Sequence, residues 1–439
     1  MKVLFIDSWT KGIRCFIPVS QYLTQKNIES LLVHYGSWDA EPGRPHEELI
    51  DGLLCRDIAY YRSRLLYKVL ERERPDCIVT LTTNNLIDRA KILAARALGI
   101  PIVFLMHGII ATTEAAVEEQ IDVLKPTLRR KRFSKIPKHL SHIIPNYIFS
   151  GMKLKTGYAL TAAPYRVMMN TFRFPEKWKQ YPDPSTELQC DLALAWGKAY
   201  KDFLVEKYGY SPQAVSVVGH PPLDKASRLM ASPPDNQECS LFLHSHGISP
   251  DTSNVLYIEG AFAFSGYQGW TDDSLLAHLL EMVELCSIAG KHLIIKLHPS
   301  TERAQWIQSC LEGRATIIQQ ADSEMLIWNA ESVIGHSSTL INSAIVLHKP
   351  VFIPRWGISR SIPANFDDIA PVSVCHSPEQ LKYGISHSKE SRDNLSSRRD
   401  CYIQHYLDPL DGNSQERIGQ AVAQLAYTRA QTSKRAKVA

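Results

Sequence analysis

The chain has 439 residues, 44% apolar and 21% charged, with a formal net charge of +4. That length favours two domains over a single core, and the composition is that of an ordinary globular protein. So mild a charge gives no reason to expect nucleic acid as a partner, and no apolar run reaches the ~20 residues of a membrane span. The nine cysteines stand singly, with no Cys-x-x-Cys pair. This argues against structural zinc and for a reducing, cytoplasmic location. Met1–Asp7 lacks the long apolar core and small-residue cleavage site of a signal peptide, and reads as a first strand.

The first half alternates strand and helix signals. The pattern predicts a strand over Lys2–Ile6, a helix over Ile17–Gln25, a strand over Ser30–His34 and a long helix over Glu47–Arg72. A strand at Cys77–Leu81, a helix at Asn85–Leu98 closed by Gly99, and a strand at Ile102–Met106 follow; the last opens on His107-Gly108. Residues 125–155 break the rhythm. Arg129-Arg130-Lys131-Arg132, Lys135, Lys138, Lys153 and Lys155 are interleaved with Phe133, Ile136, Ile144 and Ile148, and no acidic residue occurs from Val123 to Pro175. Such a segment is either a solvated insertion or a contact for an anionic membrane surface or polyanionic acceptor. The rhythm returns with a strand at Asp191–Ala195, a helix at Ala199–Lys207 and a strand at Ala214–Val218. The polar stretch Ala231–Glu238 reads as a linker.

A second series begins with a strand at Ser240–Ser245. It continues through helix Leu275–Ala289, strand Leu293–Leu297, helix Glu302–Leu311, strand Ala315–Ile318, helix Ser323–Asn329, strand Ser332–Ile334, helix Thr339–Leu347 and strand Val351–Ile353. Strands alternating with helices imply parallel sheets covered on both faces. The expected architecture is α/β: an N-terminal Rossmann-like domain over 1–230 with a basic insertion at about 125–156, a second over 237–390, and a helical segment with a basic tail over 391–439. Two doubly wound domains facing a cleft would hold the ligand between them.

The residues that carry chemistry stand at strand ends, where open α/β sheets bind ligands. Lys296, His298 and Pro299 end one strand of the second domain and offer a cation and an N–H donor; a surface lysine beside a structural histidine is the plainer alternative. Gly335, Ser337, Ser338 and Thr339 end another. The glycine permits close backbone approach, and the hydroxyls and following helix N-terminus suit a phosphate or simple N-capping. In the first domain His107, beside Gly108, is a candidate general base or a loop histidine. Asp7 ends the first strand and is a second catalytic candidate, with a turn role as its alternative; Glu114 is a further fallback base. His220 and His246 are candidates for the acceptor side of the cleft. No metal or other cofactor is expected.

Paired Rossmann-like domains, His298-Pro299 after a strand and Ser337-Ser338-Thr339 downstream resemble the GT-B glycosyltransferases of bacterial surface carbohydrates. Among these are the sialyl- and polysialyltransferases, the capsule Kdo transferases and the CDP-glycerol glycerophosphotransferases. The resemblance implies that His298 and the hydroxyls of Ser337, Ser338 and Thr339 hold the phosphate of a cytidine-nucleotide donor. It also implies that His107-Gly108 supplies the base. Ala195-Trp196-Gly197-Lys198 and Gly219-His220-Pro221-Pro222-Leu223-Asp224 resemble the end of the N-terminal domain in the same superfamily. The implied protein is a metal-independent transferase, cytoplasmic or peripheral at the inner membrane face. It would move a sugar from a nucleotide donor to a surface glycan or its lipid-linked precursor, with leaving-phosphate stabilisation and domain closure. A CDP-glycerol-type glycerophosphotransferase, a UDP-GlcNAc 2-epimerase-like enzyme and a non-catalytic sugar-nucleotide-binding protein remain as alternatives. The helix Leu340-Ile-Asn-Ser-Ala344 carries no acid, where UDP-using GT-B enzymes often have a glutamate, which favours a cytidine donor.

Overall fold

The structure is a computed structural model describing residues 1–7, 9–39, 45–83, 86–107, 139–155, 186–260, 270–299, 301, 303–336, 338–361 and 370–438. It divides into two units. The first takes its residues from Met1–Gly108, Leu128–Gly219 and Asn413–Ala439, and the second runs over His220–Gly412.

Among its described residues the first unit is built on eight strands: β1 (Lys2–Asp7), β2 (Glu29–His34), β3 (Glu47–Ile50), β4 (Leu53–Asp57), β5 (Cys77–Thr80), β6 (Ile102–Leu105), β7 (Leu192–Ala195) and β8 (Val215–Val217). Their order is β3-β4-β2-β1-β5-β6-β7-β8, and only the β3–β4 pair is antiparallel. Val3, Leu4, Phe5 and Ile6 are all fully buried, as a parallel strand covered on both faces requires. The chain winds outward from β1 in both directions, through β2 and through β5, so the carboxyl ends of β1 and β5 flank a topological switch point. The C-terminal helix Ser414–Val438 lies against the helix Trp9–Gln25, and its Ile418, Val422, Ala423 and Ala426 belong to the same core as Val3, Phe5 and Phe16. The approach is close enough that a Cβ on Gly419 would stand 2.2 Å from the Tyr22 ring.

Among its described residues the second unit has six strands, all parallel: β9 (Asn254–Ile258), β10 (His292–Lys296), β11 (Thr316–Ile318), β12 (Ser332–Ile334), β13 (Val351–Pro354) and β14 (Ser373–Cys375), in the order β11-β10-β9-β12-β13-β14. Its switch point lies between β9 and β12.

Four expectations are corrected. The long helix over Glu47–Arg72 is instead the hairpin β3–β4, a 3-10 turn at Ile58–Tyr61 and a short helix at Leu66–Glu73. Leu49, Ile50, Leu53 and Leu54 have helical spacing, but Asp51 and Gly52 between them adopt φ of 48° and 82°, the turn that Asp-Gly favours in a two-residue hairpin. The strand expected at Ser240–Ser245 is the end of a helix, Asn236–Ser245, because the Asp235 carboxylate caps it by accepting the Glu238 N–H at 2.7 Å. The central strand of that sheet is β9, and β14 closes one edge; neither was anticipated. The boundary expected near residue 230 falls at Gly219–His220, and residues 413–438 join the first unit instead of forming a separate tail.

Of the basic segment, residues 139–155 are described and the remainder, with Gly108 and Glu114, lies outside the described residues. The helix Ile144–Leu154 is anchored within the first unit. Asn146 accepts the Leu66 N–H at 2.6 Å, donates to the carbonyl of His142 at 2.7 Å and is 1% exposed. His142 stacks on Trp38 at 4.7 Å. The outer face carries Ile148 and Met152, 45% and 61% exposed, beside Lys153. Among the described residues no helix is long and apolar enough to cross a membrane.

Candidate functional site

Each unit gathers polar groups at its switch point. In the first, β1 ends in Asp7, which is 3% exposed. Its Oδ2 accepts the Leu81 N–H at 2.9 Å and the Thr82 hydroxyl at 3.4 Å, so it ties the end of β1 to the segment that follows β5. The same Thr82 hydroxyl hydrogen has Asp88 Oδ1 as its nearer acceptor, at 2.9 Å. Asp88 pairs with Lys91 one turn along the helix Leu86–Ala97 at 2.9 Å, both side chains almost wholly buried. Lys91 further donates to the Thr80 hydroxyl at 2.6 Å. Burial, and then Asp88 and Asp7, push the Tyr35 hydroxyl's pKa well above its ordinary value. Asp7 is therefore a buried tie for backbone and hydroxyl and no exposed acid or base.

His107 stands at the end of β6, half-buried, with Nδ1 2.9 Å from the Leu81 carbonyl. A neutral imidazole donating through Nδ1–H to that carbonyl has Nε2 as its basic nitrogen, the arrangement a general base needs. Leu81 thus links two candidates: its N–H goes to Asp7 and its C=O receives His107.

In the second unit the loop after β10 and the turn after β12 lie on either side of the end of β9. Glu259, which follows β9 and is 3% exposed, reaches sideways into that loop. Its Oε2 accepts the backbone N–H of His298 at 3.0 Å and the Thr301 hydroxyl at 2.9 Å. From the end of β11, Gln319 donates to the carbonyls of Thr301 at 2.9 Å and His298 at 3.3 Å. The Thr301 N–H closes the turn on the His298 carbonyl at 3.0 Å. The loop is clamped from both neighbouring strands, with the His298 ring half-buried and Pro299 exposed. Lys296 is placed differently from the expectation. Its ammonium donates to the carbonyls of Gln319 at 2.9 Å and Leu297 at 3.1 Å and is 7% exposed, so it ties β10 to β11 and does not present its charge at the loop. Desolvation lowers its pKa, with Glu259 and Glu324 opposing the shift.

At β12 the division of labour among the small residues is visible. Ser338 accepts the Leu340 N–H on its hydroxyl at 3.3 Å, whereas Thr339, at the N-cap position, makes no side-chain capping bond and is exposed. Ser337 lies outside the described residues. Gly335 lies close to the following helix: a Cβ there would stand 2.7 Å from Ile341 Cδ1, so that side chain would have to move. His336 is buried and turns into the core.

Two expected residues fall away from these sites. His220 is 1% exposed, and desolvation pushes its pKa down to about 3, so it is a buried neutral ring. His246 follows the helix that precedes β9, and the loop from it runs to the start of β9, at the amino-terminal edge of the sheet; its Nδ1 lies 2.9 Å from the Phe242 carbonyl. Glu259 and Gln319, which shape the loop, were missed. A carboxylate directly after the buried run Asn254–Ile258 was the available signal for Glu259. Gln319 acts on backbone and leaves no pattern. Among the described residues no group of three or more His, Cys, Asp or Glu is placed to hold a metal ion.

Two α/β units, each a doubly wound, largely parallel sheet with polar groups at its switch point, make this a protein of the GT-B fold class. No protein-family model matches the chain, and no curated protein matches it in sequence. Solved structures do match in fold. A variant of the wall teichoic acid polymerase TagF has a TM-score of 0.55 at 11% identity, covering 98% of this chain and 90% of that one. UDP-GlcNAc 2-epimerase from Neisseria meningitidis, bound to UDP-GlcNAc, has a TM-score of 0.53 at 14% identity, covering 97% and 100%. The Methanocaldococcus jannaschii UDP-GlcNAc 2-epimerase, in complex with UDP-GlcNAc and UDP, has a TM-score of 0.51 at 17% identity, covering 96% and 99%. At these identities the likeness is one of fold.

Proposed function

We propose that this chain is a metal-independent transferase that takes a sugar from a nucleotide-activated donor, of cytidine type, and passes it to a surface glycan or its lipid-linked precursor. One observation carries the reading: β10 and β12 flank β9, so the clamped His298-Pro299 loop and the Ser338-Thr339 turn stand on either side of one strand end. Two strand spacings are roughly 10 Å, a gap that a nucleoside phosphate spans better than a bare ion. In this reading His298 and the exposed Thr339 hydroxyl stabilise charge on the leaving phosphate. His107, its tautomer set by the Leu81 carbonyl, takes the proton of the acceptor hydroxyl.

The likeness to TagF supports a second donor within the same class, an activated polyol phosphate such as CDP-glycerol. A thermal-shift screen with CMP, CDP, UDP and GDP separates donor classes, since a ligand that binds only the folded state raises the melting temperature. His298→Ala is expected to abolish the shift, and His107→Ala to abolish transfer while keeping it. Full transfer in either variant overturns that residue's role. Appearance of N-acetylmannosamine on incubation with UDP-GlcNAc would replace the transferase reading by an epimerase.

The protein also docks on anionic membrane surface in this reading, through the basic segment and the exposed Ile148–Met152 face. Pelleting with phosphatidylserine vesicles at low and at high salt tests it; no binding at low salt refutes it.

A further inference from the structure

His336 lies inside the turn that ends β12, between Gly335 and the hydroxyls, yet its ring is 2% exposed. It meets His278 of the helix Asp272–Ile288, itself 5% exposed, with the two Nε2 atoms 3.3 Å apart. Tyr257 of β9 and Trp270 enclose the pair. Their ring centroids lie 5.7 and 5.5 Å from His278 and 6.2 and 6.4 Å from His336, all edge to face. Two imidazoles share such a bond only when one Nε2 carries a hydrogen and the other is bare, so the contact is directional. Burial pushes His278 down to about 4 and His336 well below its ordinary value, so both rings are neutral at neutral pH. The Pro354 carbonyl at the end of β13 favours a proton on the His336 ring.

We infer that the His278–His336 pair is a positioning device for the end of β12 at Gly335 and His336, and through it for Ser338, Thr339 and the nucleotide phosphate. This rests on the donor site proposed above. Packing alone does not call for two imidazoles in an apolar cage, where phenyl rings would fill the same space without buried nitrogens to satisfy. What the pair adds is orientation. The Gly335 N–H is held by the Phe352 carbonyl at 3.1 Å, and the next residue is held by His278, so the backbone is fixed from two sides just before Ser338 and Thr339. The pair carries no charge toward the phosphate; it acts through geometry.

The test compares His278→Phe, which keeps a ring and removes the bond, with His278→Gln, whose amide nitrogen reaches a similar place. Calorimetry with CMP and CDP is expected to show a dissociation constant raised roughly five- to tenfold in the Phe variant, as loss of one hydrogen bond implies, and restored to near wild type in the Gln variant. Unchanged affinity in the Phe variant overturns the inference, and so does equal weakening in both. If neither nucleotide binds the wild-type protein, the donor reading itself has failed. The pair is then judged by the amide resonances of Ser338–Leu340, which move in the Phe variant if it positions the turn and stay put if it does not.

Discussion

The carboxyl edges of the two sheets solve the same problem in opposite ways. In the first unit, charged groups face one another inside: Asp7, Asp88 and Lys91 are all buried and bonded through Thr80, Thr82 and the Leu81 backbone. In the second, the buried carboxylate Glu259 and the amide of Gln319 hold the backbone of a loop, in which His298 is half-buried, while Pro299 and, after β12, Thr339 are exposed. The first edge turns its charges on one another; the second spends its buried polar groups on backbone. A strand end can therefore be rich in charge without offering that charge to a ligand.

The contrast can be broken most forcefully at Lys91. Replacing it by Met removes the buried cation beside Asp88, which should cost about 3–5 kcal/mol in urea unfolding. A loss below about 1 kcal/mol, the value of a surface pair, would mean that the network does not support the first unit. Acid should act on the second unit instead. The folded-state pKa values of His220 and His278 are pushed down to about 3 and about 4, both inside His220–Gly412. Below about pH 6.5 the unfolded chain binds protons that the folded one refuses, so stability falls with pH by up to about 1.4 kcal/mol per unit for each ring. The window closes near pH 4 for His278 and near pH 3 for His220. Hydrogen exchange between pH 6.5 and 4 should show second-unit amides losing protection first; equal loss in both units refutes the assignment.

A smaller effect belongs to Gly419. An added methyl would press on Tyr22, so Gly419→Ala should lower stability by about 1–3 kcal/mol, as overpacking does. Gln319→Ala should cost least, about 1 kcal/mol, and locally. Amide exchange at His298 and Thr301 would quicken while β10 stays protected. Exchange that rises along all of β10 would show that Gln319 holds the sheet and not the loop.

Much of this was legible because buried parallel strands write continuous apolar runs. Ser332–Ile334 and the helix Ser323–Asn329 fall where the pattern puts them; His107 and His298 lie two residues beyond β6 and β10, and Ser338 and Thr339 directly precede the helix after β12. What escaped is instructive. The hairpin within Glu47–Asp57 has apolar residues at spacings that fit helix and strand alike, and only Asp51-Gly52 decides between them. Glu259 and Gln319 act on main-chain groups, which leave no trace in side-chain periodicity. Burial decides the rest: nothing in the letters His220, Lys296 or His336 says that the fold turns each of them inward.

The return of the helix Ser414–Val438 has a consequence for the order in which the chain is made. The first unit's hydrophobic core includes Ile418, Val422, Ala423 and Ala426, while the second unit is complete by Gly412. Domains usually finish in the order of their synthesis. Here four residues of the N-terminal unit's core lie on a segment that follows the second unit in the chain, so that core is complete only after the second unit has been synthesised.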